Sequence, residues 1–210
     1  MDNASEDGSV KWLREQKDIV LRENKENVGF PKGCNQGIEV ASKENDIFLL
    51  NNDTILTPNA LFWLRMGLYE EATYGSVGSV SNRVTNGQQI TILNTINENL
   101  LQFSIQNNIP QKYPYEQKTY LVGFALLIKR EVYEKVGDLD ERFSPGNYED
   151  TDYGIRIMKA GYKNILCKNS FIIHFGSKSF AKSVKVHISI MITFLKIEFF
   201  VLSNFLECYF

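Results

Sequence analysis

An acidic cluster opens one of the amphipathic segments of the chain. Glu149, Asp150 and Asp152 place three carboxylates within four residues, and such groups repel one another unless something offsets their charge. Amides at a helix N-terminus can do so, and they would keep a carboxylate ionised near neutral pH. An ionised carboxylate at a cleft edge can act as a general base towards a hydroxyl. The alternative is an ordinary acidic helix start, with Asp150 or Thr151 as its cap.

A second polar group, Asn51-Asn52-Asp53, directly follows the apolar run at residues 46–50. Carboxylate and amide oxygens suit Mg²⁺ or Mn²⁺ that bridges a diphosphate. The alternative is a simple turn, because Asn and Asp favour turns.

His174 follows an apolar run at residues 171–173 and precedes a Gly-Ser-Lys turn. A lone histidine is usually structural, but at a strand end its imidazole can reach a metal, and the turn amides can meet a phosphate. Earlier in the chain, Gly29, Gly33 and Gly37 allow backbone to approach a ligand closely. That glycine segment matches neither the Rossmann fingerprint nor the P-loop, so its pattern alone is a weak indication of phosphate binding.

Alternating strands and helices are predicted to position these groups. We expect strands at residues 18–21, 46–50, 120–128 and 164–175, with amphipathic helices between them. This alternation indicates an α/β sandwich with a mainly parallel sheet. Ligands bind beyond the carboxyl ends of strands in such sheets, and residues 51–53 lie at one such end. Residues 82–114 are predicted to form a variable insertion or acceptor-side region with one helix.

Composition excludes several classes of protein. The 210 residues fit one domain, and 43% hydrophobic with 23% charged residues argues against bulk disorder. A net charge of -2 gives no basic surface for nucleic acid. The three cysteines are scattered and match neither a disulfide framework nor a thiolate zinc site. A polar run follows Met1 where a signal peptide would be apolar, so we expect a cytoplasmic location.

The end of the chain has a different character, because residues 184–210 are strongly apolar and aromatic. Their length could span a bilayer, but Lys196 and Glu198 lie near the middle and are unfavourable there. We therefore expect a buried or interface-lying helix, with possible contact with a membrane surface.

Taken in order, these segments resemble family 2 glycosyltransferases of the GT-A fold, particularly bacterial rhamnosyltransferase-like members. Residues 2–9 resemble the family's DNxSxDGS stretch, and residues 27–37 resemble its NxGFxxGxNxG segment. The remaining matches are LLNNDT at residues 49–54 for the metal-binding DXD motif, the acceptor-side segment from Gly123, the ED motif within residues 143–153, and a late histidine at His174.

The resemblance implies a metal-dependent, inverting transfer of a sugar from a nucleotide-diphosphate sugar to an acceptor hydroxyl. It assigns Mg²⁺ or Mn²⁺ to Asp53 and His174, the base to Asp150, and an orienting role to Glu149. Contacts with the sugar-nucleotide are implied for Asp2, Asn3, Gly33, Asn35, Asn51 and Asn52. The acceptor would be a saccharide or lipid-linked saccharide, and the setting cell-surface polysaccharide synthesis, in the cytoplasm or at the inner face of the cell membrane.

The chain departs from the family pattern in two places. The chain starts where the family's second strand ends, so we expect a catalytic domain at residues 1–182 that lacks the first strand and most of the second. Residues 183–210 are expected to form a separate apolar helix or tail. A non-catalytic module that binds carbohydrate or sugar-nucleotide is the alternative; the missing strands favour it, whereas Asp53, Asp150 and His174 favour an enzyme. A nucleotidyltransferase would show a basic, glycine-rich loop near the N-terminus, and none appears.

Overall fold

A computed structural model describes residues 1–92, 97–176 and 190–192, with backbone alone for 97, 98 and 190–192. Its α-helices are α1 (Ser9–Glu15), α2 (Phe30–Glu39), α3 (Ala60–Leu68), α4 (Asn97–Asn107), α5 (Arg130–Val136) and α6 (Glu149–Lys159). Its strands are β1 (Asp2–Asn3), β2 (Glu23–Asn24), β3 (Ile47–Asn51), β4 (Thr54–Ile55), β5 (Tyr74–Val80), β6 (Tyr115–Lys118), β7 (Ala125–Ile128), β8 (Lys163–Phe171), β9 (Ile173–His174) and β10 (Ile190–Ile192).

Helices cover both faces of a central sheet. Along β3, Ile47 and Leu49 join the apolar cluster that includes side chains of α2, α5 and α6, whereas Phe48 and Leu50 join the cluster that includes α3. All four side chains are at most 3% exposed, and burying each contributes about 1.5–3 kcal/mol. The predicted α/β class and the reading of residues 46–50 as a doubly buried strand are confirmed.

The central sheet has the strand order β10-β3-β7-β5-β8-β6. Of these described pairings only β5 with β8 is parallel, so the prediction of a mainly parallel sheet is wrong. Apolar strands covered on both faces reveal their burial but not their direction. However, β7 is antiparallel to both β3 and β5, so β3, β5 and β8 run the same way and their carboxyl ends share one edge.

One strand prediction and one helix prediction, near the two ends of the chain, also differ from the structure. No strand forms at residues 18–21; the short β2 follows them, and Ile19 and Val20 are exposed because no element covers them. Of the apolar tail, only Ile190–Ile192 are described, and they form β10, antiparallel to β3, instead of part of a helix. The rest of residues 184–210 lies outside the described residues.

Strand β5 was not predicted from the sequence, although every one of its residues is buried. Its sequence YGSVGSV lacks a long apolar run, and glycine and serine favour strands poorly. The glycines have a packing role: a Cβ on Gly75 would lie 2.7 Å from Cβ of Tyr162, and one on Gly78 would lie 3.3 Å from Leu121. Close approach therefore replaces side-chain bulk in this strand.

Candidate active site

A cleft of about 700 Å³ opens at the edge where β3, β5 and β8 end. Its walls come from the residues after these strands, from the segment before β7 and from the start of α6. Six residues predicted from the sequence line it together: Asn51, Asn52, Asp53, Glu149, Asp150 and His174. Side chains from three separate parts of the chain thus meet in one place.

Asp53 and His174 are brought together by a two-stranded pairing of β4 with β9. Thr54 lies opposite His174 in this register, and the Phe175 N–H donates to the Asp53 carbonyl at 2.9 Å. The side chains then meet with His174 Nε2 3.1 Å from Asp53 Oδ1. The ring of His174 also stacks on Phe124, with centroids 5.0 Å apart.

The other ring nitrogen fixes the tautomer of His174. Nδ1 lies 2.7 Å from the Arg83 carbonyl oxygen, which can only accept, so Nδ1 carries the hydrogen. In the neutral ring, Nε2 then presents a lone pair towards a carboxylate oxygen of Asp53. Two acceptors facing each other require a proton or a cation between or beside them.

This pair fits a divalent cation. Mg²⁺ takes ligands at about 2.0–2.1 Å in octahedral geometry, which separates neighbouring ligands by about 3.0 Å, close to the 3.1 Å observed. The described residues contain no group of three or more His, Cys, Asp or Glu side chains that could hold a metal ion. Asp53 and His174 would therefore hold such an ion with oxygens from substrate and water, the usual arrangement for Mg²⁺ at a phosphate.

The charge state of Asp53 suits that role. Burial acts to raise its pKa, but the hydrogen bond and charge that His174 supplies when both its ring nitrogens carry hydrogen, together with the backbone N–H groups of Asp53 and Gly176, outweigh it, and the pKa falls below its ordinary value. Asp53 is therefore an anion at neutral pH.

The carboxylates at the start of α6 experience the opposite balance. Burial, reinforced by the charge of Asp150, raises the pKa of Glu149, whose Oε2 has no hydrogen-bond partner among the described residues. Burial also raises the pKa of Asp150, against the backbone N–H groups of Thr151 and Gly123. Backbone N–H groups oppose the effect of burial on both pKa values but do not cancel it. That a carboxylate here is ionised near neutral pH stays a prediction. The third carboxylate, Asp152, pairs with Arg156 at 2.7 Å and does not line the cleft.

Four residues predicted to contact the donor lie elsewhere. Asp2 and Asn3 are buried in β1, and Gly33 is buried within α2. Asn35 binds backbone: its amide donates to the Leu139 carbonyl at 2.9 Å and accepts from the Leu139 N–H at 3.0 Å. Their role in donor binding stays a prediction that the geometry of this cleft does not support.

The sequence reading missed the segment that follows β5. The Asn82 side chain bonds both backbone groups of His174, at 2.9 and 3.0 Å, and Arg83 lines the cleft. Gln88, fully buried, joins the Ser79 carbonyl to the Val122 N–H. A polar Asn-Arg pair after a strand could have signalled this wall, had β5 been recognised.

Comparisons with known proteins bear on the family and the fold of the chain. A family model described as "Glycosyltransferase like family 2" matches residues 11–189. A similar solved structure is that of a mannosyltransferase, PcManGT from Pyrobaculum calidifontis, in complex with GDP-Man and Mn²⁺, with a TM-score of 0.57 and 18% identity. The match covers 85% of this chain and 47% of that one, so the chain spans about half the length of this neighbour. No curated protein matches the chain.

Among the described residues, no helix has the length and apolar character needed to cross a membrane.

Proposed function

Because the chain belongs to the glycosyltransferase-like family 2, we propose that it transfers a sugar from a nucleotide-diphosphate sugar to an acceptor hydroxyl. One observation carries the proposal: the Asp53–His174 pair and the Asp150 carboxylate line the same cleft. A site for the leaving diphosphate and a base for the incoming hydroxyl are thereby available to one bound sugar.

Asp150 acts as the general base in this proposal. It takes the proton of the acceptor hydroxyl while that oxygen forms a bond to the anomeric carbon. The bond from that carbon to the phosphate oxygen breaks, and the nucleoside diphosphate leaves with the electron pair. Attack from the face opposite the leaving group inverts the configuration. Glu149, buried beside Asp150, orients the acceptor or the Asp150 carboxylate.

Asp53 and His174 would hold Mg²⁺ or Mn²⁺, and Asn51 and Asn52 lie along the same wall for the sugar-nucleotide. The bound cation would supply neutralisation of the charge on the departing diphosphate. His174 is prepared for this position because the Arg83 carbonyl holds its Nδ1 hydrogen and leaves Nε2 to face Asp53.

The finer assignments belong to the same proposal. The donor sugar is of the rhamnosyl type or, since the solved neighbour holds GDP-Man and Mn²⁺, a mannosyl type. The acceptor is a saccharide or lipid-linked saccharide in cell-surface polysaccharide synthesis. The chain would act in the cytoplasm or at the inner face of the cell membrane.

The test is nucleoside diphosphate release by the purified chain, with GDP-mannose, a nucleotide-diphosphate rhamnose and UDP-glucose as donors, with Mn²⁺, Mg²⁺ or a chelator. We expect metal-dependent release from at least one donor. Asp150→Asn should lower kcat by about 10²–10⁴-fold, the usual contribution of a positioned base, with donor affinity nearly unchanged.

Asp152→Asn is the matched control, because Asp152 lies on the same helix but pairs with Arg156 outside the cleft. It should keep kcat within about threefold of wild type, since surface ion pairs contribute little. Wild-type turnover in Asp150→Asn would remove the base from the mechanism. Donor binding without release under any condition would instead favour the binding module.

A further inference from the structure

Arg83 is anchored at two points to the strand end that carries His174. Its carbonyl accepts the Nδ1 hydrogen of His174 at 2.7 Å, and its Nη1 donates to the Phe175 carbonyl at 2.7 Å. The guanidinium is therefore held by a hydrogen bond to the residue that follows His174, and the side chain is exposed to solvent in the cleft.

The charge of this guanidinium is not neutralised by the described part of the chain. Among the described residues Arg83 forms no ion pair, and its one side-chain hydrogen bond goes to a neutral carbonyl. A guanidinium has five N–H donors in a planar fork, so most remain available. Among the described residues that line the cleft, Asp53, Glu149 and Asp150 carry carboxylates. Arg83 is the one residue of this described lining whose side chain is always positively charged.

Gly176 provides the space in which the Arg83 side chain lies. A Cβ on Gly176 would lie 2.2 Å from Cδ of Arg83, and its φ of +63° is one that glycine adopts readily. Gly176 itself lines the cleft next to the Asp53–His174 pair. The arginine stem thus crosses bare backbone two residues after His174.

We propose that Arg83 binds the diphosphate of the donor, next to the position of the cation. The inference rests on the proposed function and adds to it a residue that contacts the leaving group. A guanidinium fork matches phosphate oxygens in a bidentate manner. Because negative charge grows on the diphosphate as the glycosidic bond breaks, the same contact strengthens towards the transition state. An anionic group on the acceptor is a less favoured partner, since Arg83 is anchored beside Asp53 whereas Asp150 stands on α6.

Calorimetric titration with GDP and UDP, each with Mn²⁺, and with guanosine and uridine tests the assignment without turnover. Arg83→Gln should weaken nucleoside diphosphate binding by about 10- to 100-fold, as expected for a charge-assisted contact. Nucleoside binding should stay unchanged. Arg83→Lys keeps the charge but loses the planar fork of N–H donors, so its affinity for nucleoside diphosphate should lie between those of wild type and Arg83→Gln.

Arg65→Gln is the matched control, because Arg65 is an exposed arginine on α3 outside the cleft. It should bind both ligands as wild type does. The wild-type affinity should also weaken more steeply with salt than that of Arg83→Gln, because one fewer ionic contact is screened in the variant. Thermal unfolding followed by circular dichroism checks that each variant is folded.

If Arg83→Gln bound GDP and UDP as tightly as wild type does, the assignment of Arg83 would be overturned and the proposed function would be unaffected. So would a parallel loss of nucleoside binding, which would indicate general damage to the cleft. A rise confined to the acceptor KM would place an anionic acceptor group at Arg83 and overturn the donor assignment. Absence of both nucleotide binding and diphosphate release in the wild type would reject the proposed function itself.

Discussion

At the scale of single residues, two opposed effects determine the pKa of Asp150. Burial raises its pKa, and the N–H groups of Thr151 and Gly123 lower it, with burial the larger effect. A base must be ionised to act, so kcat/KM should decline as pH falls through a pKa above the ordinary value of 3.8. A pH profile of kcat/KM at constant ionic strength measures that midpoint. An acid limb at or below 3.8 would show that burial does not dominate.

Glu149 connects the same physics to stability. Its raised pKa means that the folded carboxyl holds its proton more tightly than the unfolded one. The stability from that difference is present below the ordinary value of 4.5 and is lost as pH rises through the folded pKa. At neutral pH the chain therefore tolerates a buried carboxylate whose Oε2 has no hydrogen-bond partner in the part of the chain that the structure describes.

Glu149→Gln should consequently raise the free energy of unfolding at pH 7 by about 1 kcal/mol, because the neutral amide removes the buried negative charge. The gain should shrink as pH approaches 4.5 and vanish below it. Urea unfolding at several pH values provides the measurement. A loss of stability at pH 7 would reveal that Glu149 has a compensating partner in the folded chain.

At the scale of elements, the segment after β5 depends on one buried side chain. Gln88 donates to the Ser79 carbonyl at 3.0 Å and accepts from the Val122 N–H at 2.7 Å. It thereby joins the end of β5 to the segment that precedes β7. Two walls of the cleft are held at a fixed separation through this amide.

Gln88→Ala should lower the free energy of unfolding by about 1–3 kcal/mol, because two buried backbone groups lose their partner. Donor affinity should fall as well, since Val122 and Arg83 line the cleft. Gln89→Ala serves as the control for stability, because Gln89 is exposed and should change it by less than about 0.5 kcal/mol. Unchanged stability in Gln88→Ala would mean that water replaces the amide.

The strand before this segment, β5, could not be predicted from the sequence, whereas β3 and α6 could. A run such as IFLL in β3 is recognisable because apolar side chains supply the burial, and α6 is recognisable from its acidic start and amphipathic spacing. In β5 the burial comes from Gly75 and Gly78 lying close to other elements. Such contacts are made over long separations in the chain, so neither β5 nor the Asn82 and Arg83 that follow it could be inferred from local pattern.

Strand direction belongs to the same class of missed information. Burial on both faces of the sheet indicated helices above and below, but the insertion of antiparallel β7 between β3 and β5 is set by pairing. The edge at which Asn51, Asn52 and Asp53 were expected to meet a ligand is unaffected, because β3, β5 and β8 still end together. That edge could be anticipated from an apolar run that stops at polar residues.

At the scale of the whole molecule, the charge of the cleft determines how it can receive a donor. The chain carries a net charge of -2, and Asp53, Glu149 and Asp150 add local negative charge against Arg83. Under the proposed function, an anionic nucleoside diphosphate would bind this cleft more weakly without a cation than with one. Cation and nucleotide should each raise the affinity for the other, by the same factor.

Thermal unfolding measures this coupling directly. Mn²⁺ alone or GDP alone, at about 100 times its dissociation constant, should stabilise the chain by about 2.7 kcal/mol, or about 5–10 °C in Tm. With both ligands present at these concentrations, Tm should rise further. The rise should exceed the sum of the rises with either alone. Asp53→Asn should abolish the excess, because it removes the anionic ligand of the pair while Arg83 remains to bind phosphate weakly. If the two ligands raised Tm additively in the wild type, the cation and the diphosphate would occupy independent sites, and the Asp53–His174 pair would have no part in holding the donor.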